Sequence, residues 1–130
     1  MLKVVAAIIK KENDQYLIAR RASHKQHAGK WEFPGGKIES GETAEIALQR
    51  ELMEELGVNS SIGQFVKSVV CHIGTLHIEL MAYEVALIDT DFKLTDHDKF
   101  AWVLIDEIEN YRMSKADLSI IEYIKESHKR

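Results

Sequence analysis

The chain has 130 residues, a length that suits one compact domain, so we expect a single domain over residues 1–130. Apolar residues make up 45% and charged residues 29%, which is typical of a soluble globular protein with an ordinary core. The formal net charge is −4 without a cluster of Lys and Arg, so no nucleic-acid partner is expected, although a single nucleotide could be bound.

The first apolar run, residues 4–9, predicts a buried central strand. It is too short to span a membrane and no leader-type cleavage site follows it, so no membrane partner is expected. Cys71 is the only cysteine, which excludes an intrachain disulfide and favours the cytoplasm. The sequence leaves open whether the protein is a monomer or a homodimer.

The next stretch predicts a hairpin. Residues 10–15 are polar and contain the turn signal Asn13-Asp14, and residues 16–20 return as a second strand. Residues 21–30 are polar and predict a loop. A short extended piece follows at residues 31–33 and ends at Pro34-Gly35-Gly36, where we expect regular structure to stop and the backbone to approach another group closely.

The second half of the chain supplies two helices and further strands. Residues 43–56 have helical periodicity, with Thr43 as the N-cap and Gly57 as the C-terminal stop. The later predicted elements are strands at residues 61–72 and 76–88, a charged loop at 89–99, a strand at 101–105 and a helix from near Ser114. This mixture predicts an α+β (mixed α/β) fold.

The first helix carries an acidic face beside its apolar stripe. Glu51, Glu54 and Glu55 are three and four residues apart, so they share one side of the helix. Taken alone, such a face is more typical of solvated surface. The preceding segment Pro34-Gly35-Gly36-Lys37 changes this interpretation, because free carbonyls and a cation next to clustered carboxylates favour a divalent cation with oxygen ligands.

The same residues match a family signature. Gly36 is followed after five residues by Glu42, and after seven more by residues 50–58, so that nine fixed positions over 23 residues agree with the Nudix box. The chain therefore resembles the Nudix hydrolases. The Arg20-Arg21 pair, residues 31–37 and Ala116-Asp117 resemble the MutT-type subgroup, which includes 8-oxo-dGTP diphosphatases and CTP pyrophosphohydrolases.

The resemblance implies a Nudix fold, a mixed β-sheet sandwiched between helices with the box as a loop–helix–loop. It implies that Glu51, Glu54, Glu55 and the carbonyl of Gly35 bind Mg²⁺, with Mn²⁺ as a substitute, and it leaves the number of ions open. The box residues expected to have a structural role are Gly36, Glu42, Arg50 and Gly57.

The resemblance also implies catalytic and substrate-binding residues. Either a helix glutamate or Asp96 would take the proton of the attacking water, although Asp96 equally suits a solvated turn. The expected phosphate contacts are Arg21, with Arg20 as the alternative because adjacent strand residues face opposite ways, and Lys37. Phe33 and Asp117 are candidates for the base site; the alternatives are a core aromatic and an acidic first turn of a helix.

The predicted activity is Mg²⁺-dependent conversion of a nucleoside triphosphate to the monophosphate and diphosphate, sanitising 8-oxo-dGTP or related dNTPs. Alternatives are CTP, dCTP or 5-modified cytidine triphosphates, a non-catalytic nucleotide-binding module, and a sugar-nucleotide or dinucleotide polyphosphate as substrate. The histidines have no zinc-ligand spacing and are assigned no role. They are His24, His27, His72, His77, His97 and His128.

Overall fold

The structure is a computed structural model that describes residues 1–26 and 28–129. In these residues the chain forms strands, two α-helices and one 3₁₀ helix. The elements are β1 (Leu2–Ile8), β2 (Gln15–Arg21), β3 (Trp31–Glu32), β4 (Gly35–Lys37), α1 (Ala44–Leu56), β5 (Ser60–Ile73), β6 (Leu76–Leu87), β7 (His97–Leu104), the 3₁₀ helix (Ile105–Asn110) and α2 (Lys115–His128).

The strands form two sheets. A four-stranded mixed sheet has the order β4-β1-β6-β5, with β1 and β6 parallel, and a three-stranded antiparallel sheet has the order β3-β2-β7. The α+β class expected from the sequence is confirmed. The predicted β1–β2 hairpin is present only next to its turn, where the Leu17 N–H donates to the Ile9 carbonyl at 3.0 Å. Further along, β1 and β2 do not pair and belong to different sheets. Both edges of β1 are occupied by β4 and β6, so β2 pairs with β3 and β7 instead.

Strand β1 is buried on both faces, which explains its uninterrupted apolar run. Val5 and Ala7 pack with the apolar stripe of α1, whereas Ala6 and Ile8 pack with the core that contains α2. Each large aliphatic side chain buried in this way contributes about 1.5–3 kcal/mol to folding. The two helices therefore lie on opposite faces of the region around β1.

Regular structure stops at Phe33-Pro34, as expected, but Gly35–Lys37 then forms the edge strand β4. Gly35–Lys37 pairs antiparallel with β1, and the Ala7 N–H donates to the Pro34 carbonyl at 2.8 Å. A proline is tolerated there because its missing N–H is not required by the pairing. A Cβ at Gly35 would overlap the carbonyl of Val5, so glycine is required for the two strands to approach this closely.

Helix α1 begins and ends as its sequence predicts. The Thr43 side chain accepts a hydrogen bond from the Ile46 N–H at 3.2 Å, and Gly57 adopts φ 68°, with its N–H donating to the Met53 carbonyl. These caps fix the helix register and hence the direction of its acidic face. No helix in the described part of the chain is long and apolar enough to cross a membrane.

Two predicted loops are shorter than expected, and both differences bear on the site. Arg21 is the last residue of β2, and β7 (His97–Leu104) begins inside the second predicted loop. Arg21 and His97, both predicted to lie in loops, therefore pair with each other across the sheet. The register shifts between Arg20 and Arg21, which leaves Asp98 as an extra residue on β7.

Candidate active site

The three glutamates of the acidic face differ in exposure. The side chain of Glu55 is 4% exposed, that of Glu51 is 15% exposed and that of Glu54 is 59% exposed. Leu52 and Leu56 on the adjoining stripe are completely buried and draw this side of the helix inward. The face therefore runs from solvent at Glu54 to the interior at Glu55.

Arg50 ties the loop before α1 to the helix. Its Nε and Nη2 donate to the two carboxylate oxygens of Glu42 at 2.6 and 2.9 Å, and Nη2 also donates to the Lys37 carbonyl at 3.0 Å. Glu42 additionally accepts the Glu39 N–H at 2.9 Å. The Arg50 guanidinium and this N–H lower the pKa of Glu42 to about 2. These contacts are those expected of residues that hold the box in shape.

Arg50 alone cannot neutralise the acids that surround it. Its Nη1 donates to Glu51 at 2.9 Å and to Glu54 at 3.2 Å. Burial nevertheless raises the pKa of Glu51. Burial raises the pKa of Glu55 far above its usual range, and the charges of Glu32 and Glu51 raise it further. Burial and the neighbouring carboxylates therefore favour the uncharged form of Glu55.

The two glycines of β4 have different neighbours: Gly35 lies against the backbone of β1, and Gly36 lies against the Glu51 carboxylate. A Cβ at Gly36 would lie 2.5 and 2.7 Å from the carboxylate oxygens of Glu51. The pairing at Ala7 and Pro34 sets the alternation along β4, which points the Gly35 carbonyl away from β1 at the open edge of the sheet. Gly35 therefore has a carbonyl oxygen available to a ligand.

The loop before β7 is attached to the C-terminal end of α1. The Thr95 hydroxyl donates to the Glu54 carbonyl at 2.9 Å, and the Thr95 N–H donates to the Glu55 carbonyl at 3.2 Å. The next residue, Asp96, is near enough for its charge to raise the pKa of Glu55. Its side chain is 38% exposed and lies 3.4 Å from Nζ of Lys25. The structure thus brings Asp96 to the acidic cluster.

Two residues at the site were not anticipated from the sequence. Nε2 of His97 lies 2.8 Å from Oε2 of Glu32 and 3.6 Å from Oε2 of Glu55, and the three groups form a compact cluster. His24, His72, His77 and His128 are exposed elsewhere, and His27 lies outside the described residues. No sequence spacing links positions 32 and 97, because their contact depends on the pairing of β2 with both β3 and β7.

Glu32 of this cluster lines a cleft of about 390 Å³. It is lined by Arg21, Lys37, Phe33 and Asp117 together with Glu32, so four of the predicted substrate-binding residues surround one space. Two larger hollows, of about 650 and 720 Å³, contain none of the box residues. The first cleft is therefore the one that joins the acidic cluster to a space for a ligand.

Arg20 and Arg21 face different surroundings, as expected for adjacent strand residues. Arg20 donates to both oxygens of Asp98 at 2.7 and 3.0 Å and does not line the cleft. Arg21 lines the cleft, donating from Nη1 to Glu32 at 3.2 Å and from Nε to the Gln26 carbonyl at 2.8 Å. Only Arg21 is therefore placed to meet a ligand in the cleft.

The opposite end of the cleft contains a buried carboxyl group. Oδ2 of Asp117 accepts the Ser114 hydroxyl at 2.7 Å and the Phe33 N–H at 3.3 Å. Burial raises the pKa of Asp117 to about 7, although these two donors oppose the shift. Phe33 is a core residue as well as a lining residue. Asp117 lies in the first turn of α2, as the alternative interpretation predicts, and it also lines the cleft.

The acidic cluster suits a hard divalent cation. Its candidate donors are all oxygens, the type that Mg²⁺ and Mn²⁺ prefer: the carboxylates of Glu51, Glu54 and Glu55 and the carbonyl of Gly35. Oε1 of Glu55 is buried and has no hydrogen-bond partner. A buried oxygen left without a partner is costly, and a cation beside it would remove that cost. The residues present therefore fit the metal that the box implies.

Comparison with known proteins places this site in a family. Residues 1–124 match the family model described as the NUDIX domain. The chain is 35% identical over 122 residues to the CTP pyrophosphohydrolase of Escherichia coli strain K12, covering 94% of this chain and 90% of that protein. It is 53% identical over 57 residues to the 8-oxo-dGTP diphosphatase of the same organism, covering 44% of each.

Solved structures agree with the fold. The solution structure of the E. coli ORF135 protein superposes with a TM-score of 0.85 at 35% identity, covering 96% of this chain and 89% of that one. The crystal structure of a MutT protein from Methanosarcina mazei Go1 gives a TM-score of 0.89 at 24% identity, covering 99% and 96%. The latter likeness shows the fold alone.

Proposed function

This chain belongs to the Nudix family of hydrolases, and we propose that it converts a nucleoside triphosphate and water to the monophosphate and diphosphate in a Mg²⁺-dependent reaction. The observation that carries this proposal is the buried, incompletely neutralised pair Glu51 and Glu55. Glu51 packs against Gly36, and Glu55 is linked through His97 to Glu32, and both Gly36 and Glu32 line the cleft. Nudix hydrolases use divalent metals, and the oxygen donors of this cluster favour Mg²⁺, with Mn²⁺ as a substitute.

The residues that would hold the cation are Glu51, Glu54, Glu55 and the Gly35 carbonyl. When bound there, Mg²⁺ neutralises charge on phosphate oxygens and stabilises the charge that spreads over them in the transition state. Arg50 keeps Glu51 and Glu54 in place through its two hydrogen bonds. This arrangement of the acids before substrate arrives lowers the reorganisation needed during the reaction.

Cationic side chains in the cleft support binding of the phosphate chain. Arg21 has one guanidinium nitrogen without a hydrogen bond in the described structure, and the exposed side chain of Lys37 lines the same cleft. We propose that both contact phosphate oxygens. The proton of the attacking water would pass to a carboxylate that solvent can reach, and Asp96 and Glu54 are the two such groups in the cluster.

The far end of the cleft supports a base site. Oδ2 of Asp117 is engaged by Ser114 and Phe33, which leaves Oδ1 for hydrogen bonds from a ligand. Donor groups of a bound base would favour the ionised form of Asp117, as Ser114 and Phe33 already do. An ionised carboxylate accepts hydrogen bonds only, so it suits base edges rich in N–H groups. Guanine and 8-oxoguanine have adjacent N–H donors, and this supports 8-oxo-dGTP or related dNTPs as substrates, consistent with the relative of that name.

Cytidine triphosphates form the second candidate class. The relative that is similar over most of this chain is named CTP pyrophosphohydrolase, and cytosine offers its amino group to Asp117. We propose the same reaction and the same residues for either class, since the triphosphate end of the site does not depend on the base.

A substrate panel tests the proposed function. The protein is incubated with Mg²⁺ and 8-oxo-dGTP, dGTP, CTP, dCTP and 5-substituted dCTP, and kcat/KM is measured from monophosphate and diphosphate release. We expect both products from at least one substrate, with the highest kcat/KM for 8-oxo-dGTP. Absence of both products from every substrate would reject the hydrolase proposal, and the highest value for a cytidine triphosphate would select the second class.

A non-catalytic nucleotide-binding module is the remaining alternative. The intact acidic positions argue against it, and Glu54→Gln provides the direct test because this exposed side chain has little part in the core. We expect Glu54→Gln to lower kcat with little change in unfolding temperature. Turnover equal to that of the wild type would mean that the box glutamates do not drive the reaction.

The cellular setting is proposed on the same grounds. A small anionic nucleotide bound through a cation is compatible with a net charge of −4, whereas a nucleic-acid backbone is not favoured by it. We propose a single-domain cytoplasmic enzyme that acts as a monomer or a homodimer.

A further inference from the structure

His97 lies between two acidic groups, Glu32 and Glu55, that belong to different parts of the site. Its side chain is 0% exposed, whereas the other histidines of the described chain are exposed. Nε2 lies 2.8 Å from Oε2 of Glu32, which lines the cleft, and 3.6 Å from Oε2 of Glu55, on the metal-binding face of α1. The imidazole is therefore the connection between the cleft and the acidic helix.

Only one of the two ring nitrogens of His97 has a hydrogen-bond partner. Nε2 is within hydrogen-bond distance of Glu32, whereas Nδ1 is buried without a partner. The Oε2 atom of Glu32 receives a second donor from Arg21 at 3.2 Å. Two donors on one oxygen fix the plane of the Glu32 carboxylate and leave its Oε1 free for other contacts.

The surrounding strands place His97 accurately. It pairs with Arg21 across the β2–β7 ladder, at the point where the register shifts and Asp98 is the extra residue on β7. Asp98 and Arg20 form their own ion pair on the outside, so Arg21 and His97 remain together on the inside. Such irregularities in a ladder commonly re-aim side chains at functional sites.

Glu32 needs these donors because of what lies nearby. It is partly buried, and its charge is one of the causes that raise the pKa of Glu55. Without a donor between them, the two carboxylates would repel each other and the Glu32 side chain would lose its defined orientation. Glu32 lines the cleft and accepts a hydrogen bond from Arg21, so loss of its orientation weakens ligand binding.

We propose that His97 is a positioning residue whose Nε2–H orients the carboxylate of Glu32 toward the nucleotide in the cleft and keeps it apart from the metal-binding Glu55. This inference rests on the proposed function for the identity of the ligand. His97 touches neither substrate nor cation and acts through Glu32.

Two substitutions separate the edges of the ring. His97→Gln places an amide nitrogen near the position of Nε2, whereas His97→Asn places one near Nδ1, which has no partner in the structure. We expect His97→Gln to keep KM within about threefold of the wild type and His97→Asn to raise KM about tenfold or more, with smaller effects on kcat. Unfolding temperatures of both variants are measured as the control for folding.

A double-mutant cycle tests the route of the effect. If His97 acts through Glu32, His97→Asn should change KM little in a Glu32→Gln background. Mn²⁺ affinity, measured without nucleotide by electron paramagnetic resonance, should remain within about threefold of the wild type in His97→Gln and His97→Asn. Equal KM losses in both His97 variants, additive effects in the cycle, or loss of Mn²⁺ binding in both variants would each overturn the proposal.

The experiment also distinguishes this proposal from the proposed function. Dissociation constants of non-hydrolysable analogues of 8-oxo-dGTP and CTP are measured by calorimetry, with Mg²⁺ present and no turnover required. A wild-type protein that binds an analogue but hydrolyses no triphosphate would reject the function and still allow the His97 comparison. Equal analogue affinity in wild type and His97→Asn would reject the role of His97 alone.

Discussion

The carboxylate of Glu51 lies directly against the α-carbon of Gly36, so closely that a methyl group at position 36 could not fit beside it. This contact brings strand β4 and helix α1 together at the site where we place the cation. We predict that Gly36→Ala displaces the Glu51 side chain and lowers kcat/KM by on the order of 10²-fold, with a modest change in unfolding temperature. Steady-state kinetics and thermal unfolding measure the two effects.

Gly35→Ala provides the matched comparison one residue earlier. Its Cβ would overlap the backbone of Val5 and Ala6, which cannot move without disturbing the β1–β4 pairing. We predict a loss of stability of roughly 1–3 kcal/mol or more, read from denaturant unfolding. If Gly36→Ala were the more destabilising of the two, the assignment of Gly36 to the Glu51 contact would be wrong.

Substitutions of the two adjacent arginines should affect KM differently. Arg21→Gln should raise KM for the triphosphate about tenfold, because it removes a charge from the cleft. Arg20→Gln should leave KM within about twofold, since it breaks only a surface ion pair with Asp98. Kinetics with one substrate at constant ionic strength test both. A larger effect at Arg20 would contradict the placement of the phosphate chain.

Asp117 should control the choice of base. Asp117→Asn replaces an acceptor-only group with an amide that also donates, so we predict that the ratio of kcat/KM values for 8-oxo-dGTP and CTP changes about tenfold. Ser114→Ala is the control, because it removes a donor to Oδ2 but keeps the carboxylate. An unchanged ratio in Asp117→Asn would remove Asp117 from base recognition.

Stability of the metal-free protein should fall as pH rises. Burial raises the pKa of Glu55 above its value in the unfolded chain, so the folded state holds a proton that the unfolded state releases. This contribution is fully present below the unfolded pKa of about 4.5 and is lost progressively as pH rises toward the folded pKa. We predict a lower unfolding temperature at about pH 8 than at about pH 5 in EDTA, and a Glu55→Gln variant with a weaker dependence.

The sequence predicts the box well because its determinants are local. Thr43 and Gly57 cap α1 through contacts within a few residues, and the i+3 and i+4 spacing puts Glu51, Glu54 and Glu55 on one face. Likewise, alternation along β2 predicts that Arg20 and Arg21 face opposite ways. These inferences required no knowledge of the sheet order.

Features that depend on strand pairing were not predictable in the same way. The local pattern at Pro34-Gly35-Gly36 indicates a break, yet β1 supplies an edge that accepts it as strand β4. The cluster of Glu32 and His97 requires three strands from distant parts of the chain. The energy of these pairings comes from long-range partners, which single-sequence periodicity does not contain.

Binding of Mn²⁺ to the acidic helix tests the central claim most directly. Mn²⁺ is titrated by electron paramagnetic resonance in the presence of a non-hydrolysable triphosphate analogue, comparing wild type, Glu55→Gln and, as a control on the same helix, the exposed Glu45→Gln. We predict affinity reduced by on the order of 10-fold or more in Glu55→Gln and unchanged in Glu45→Gln. Equal Mn²⁺ affinity in all three proteins would contradict the assignment of the buried glutamates to the metal.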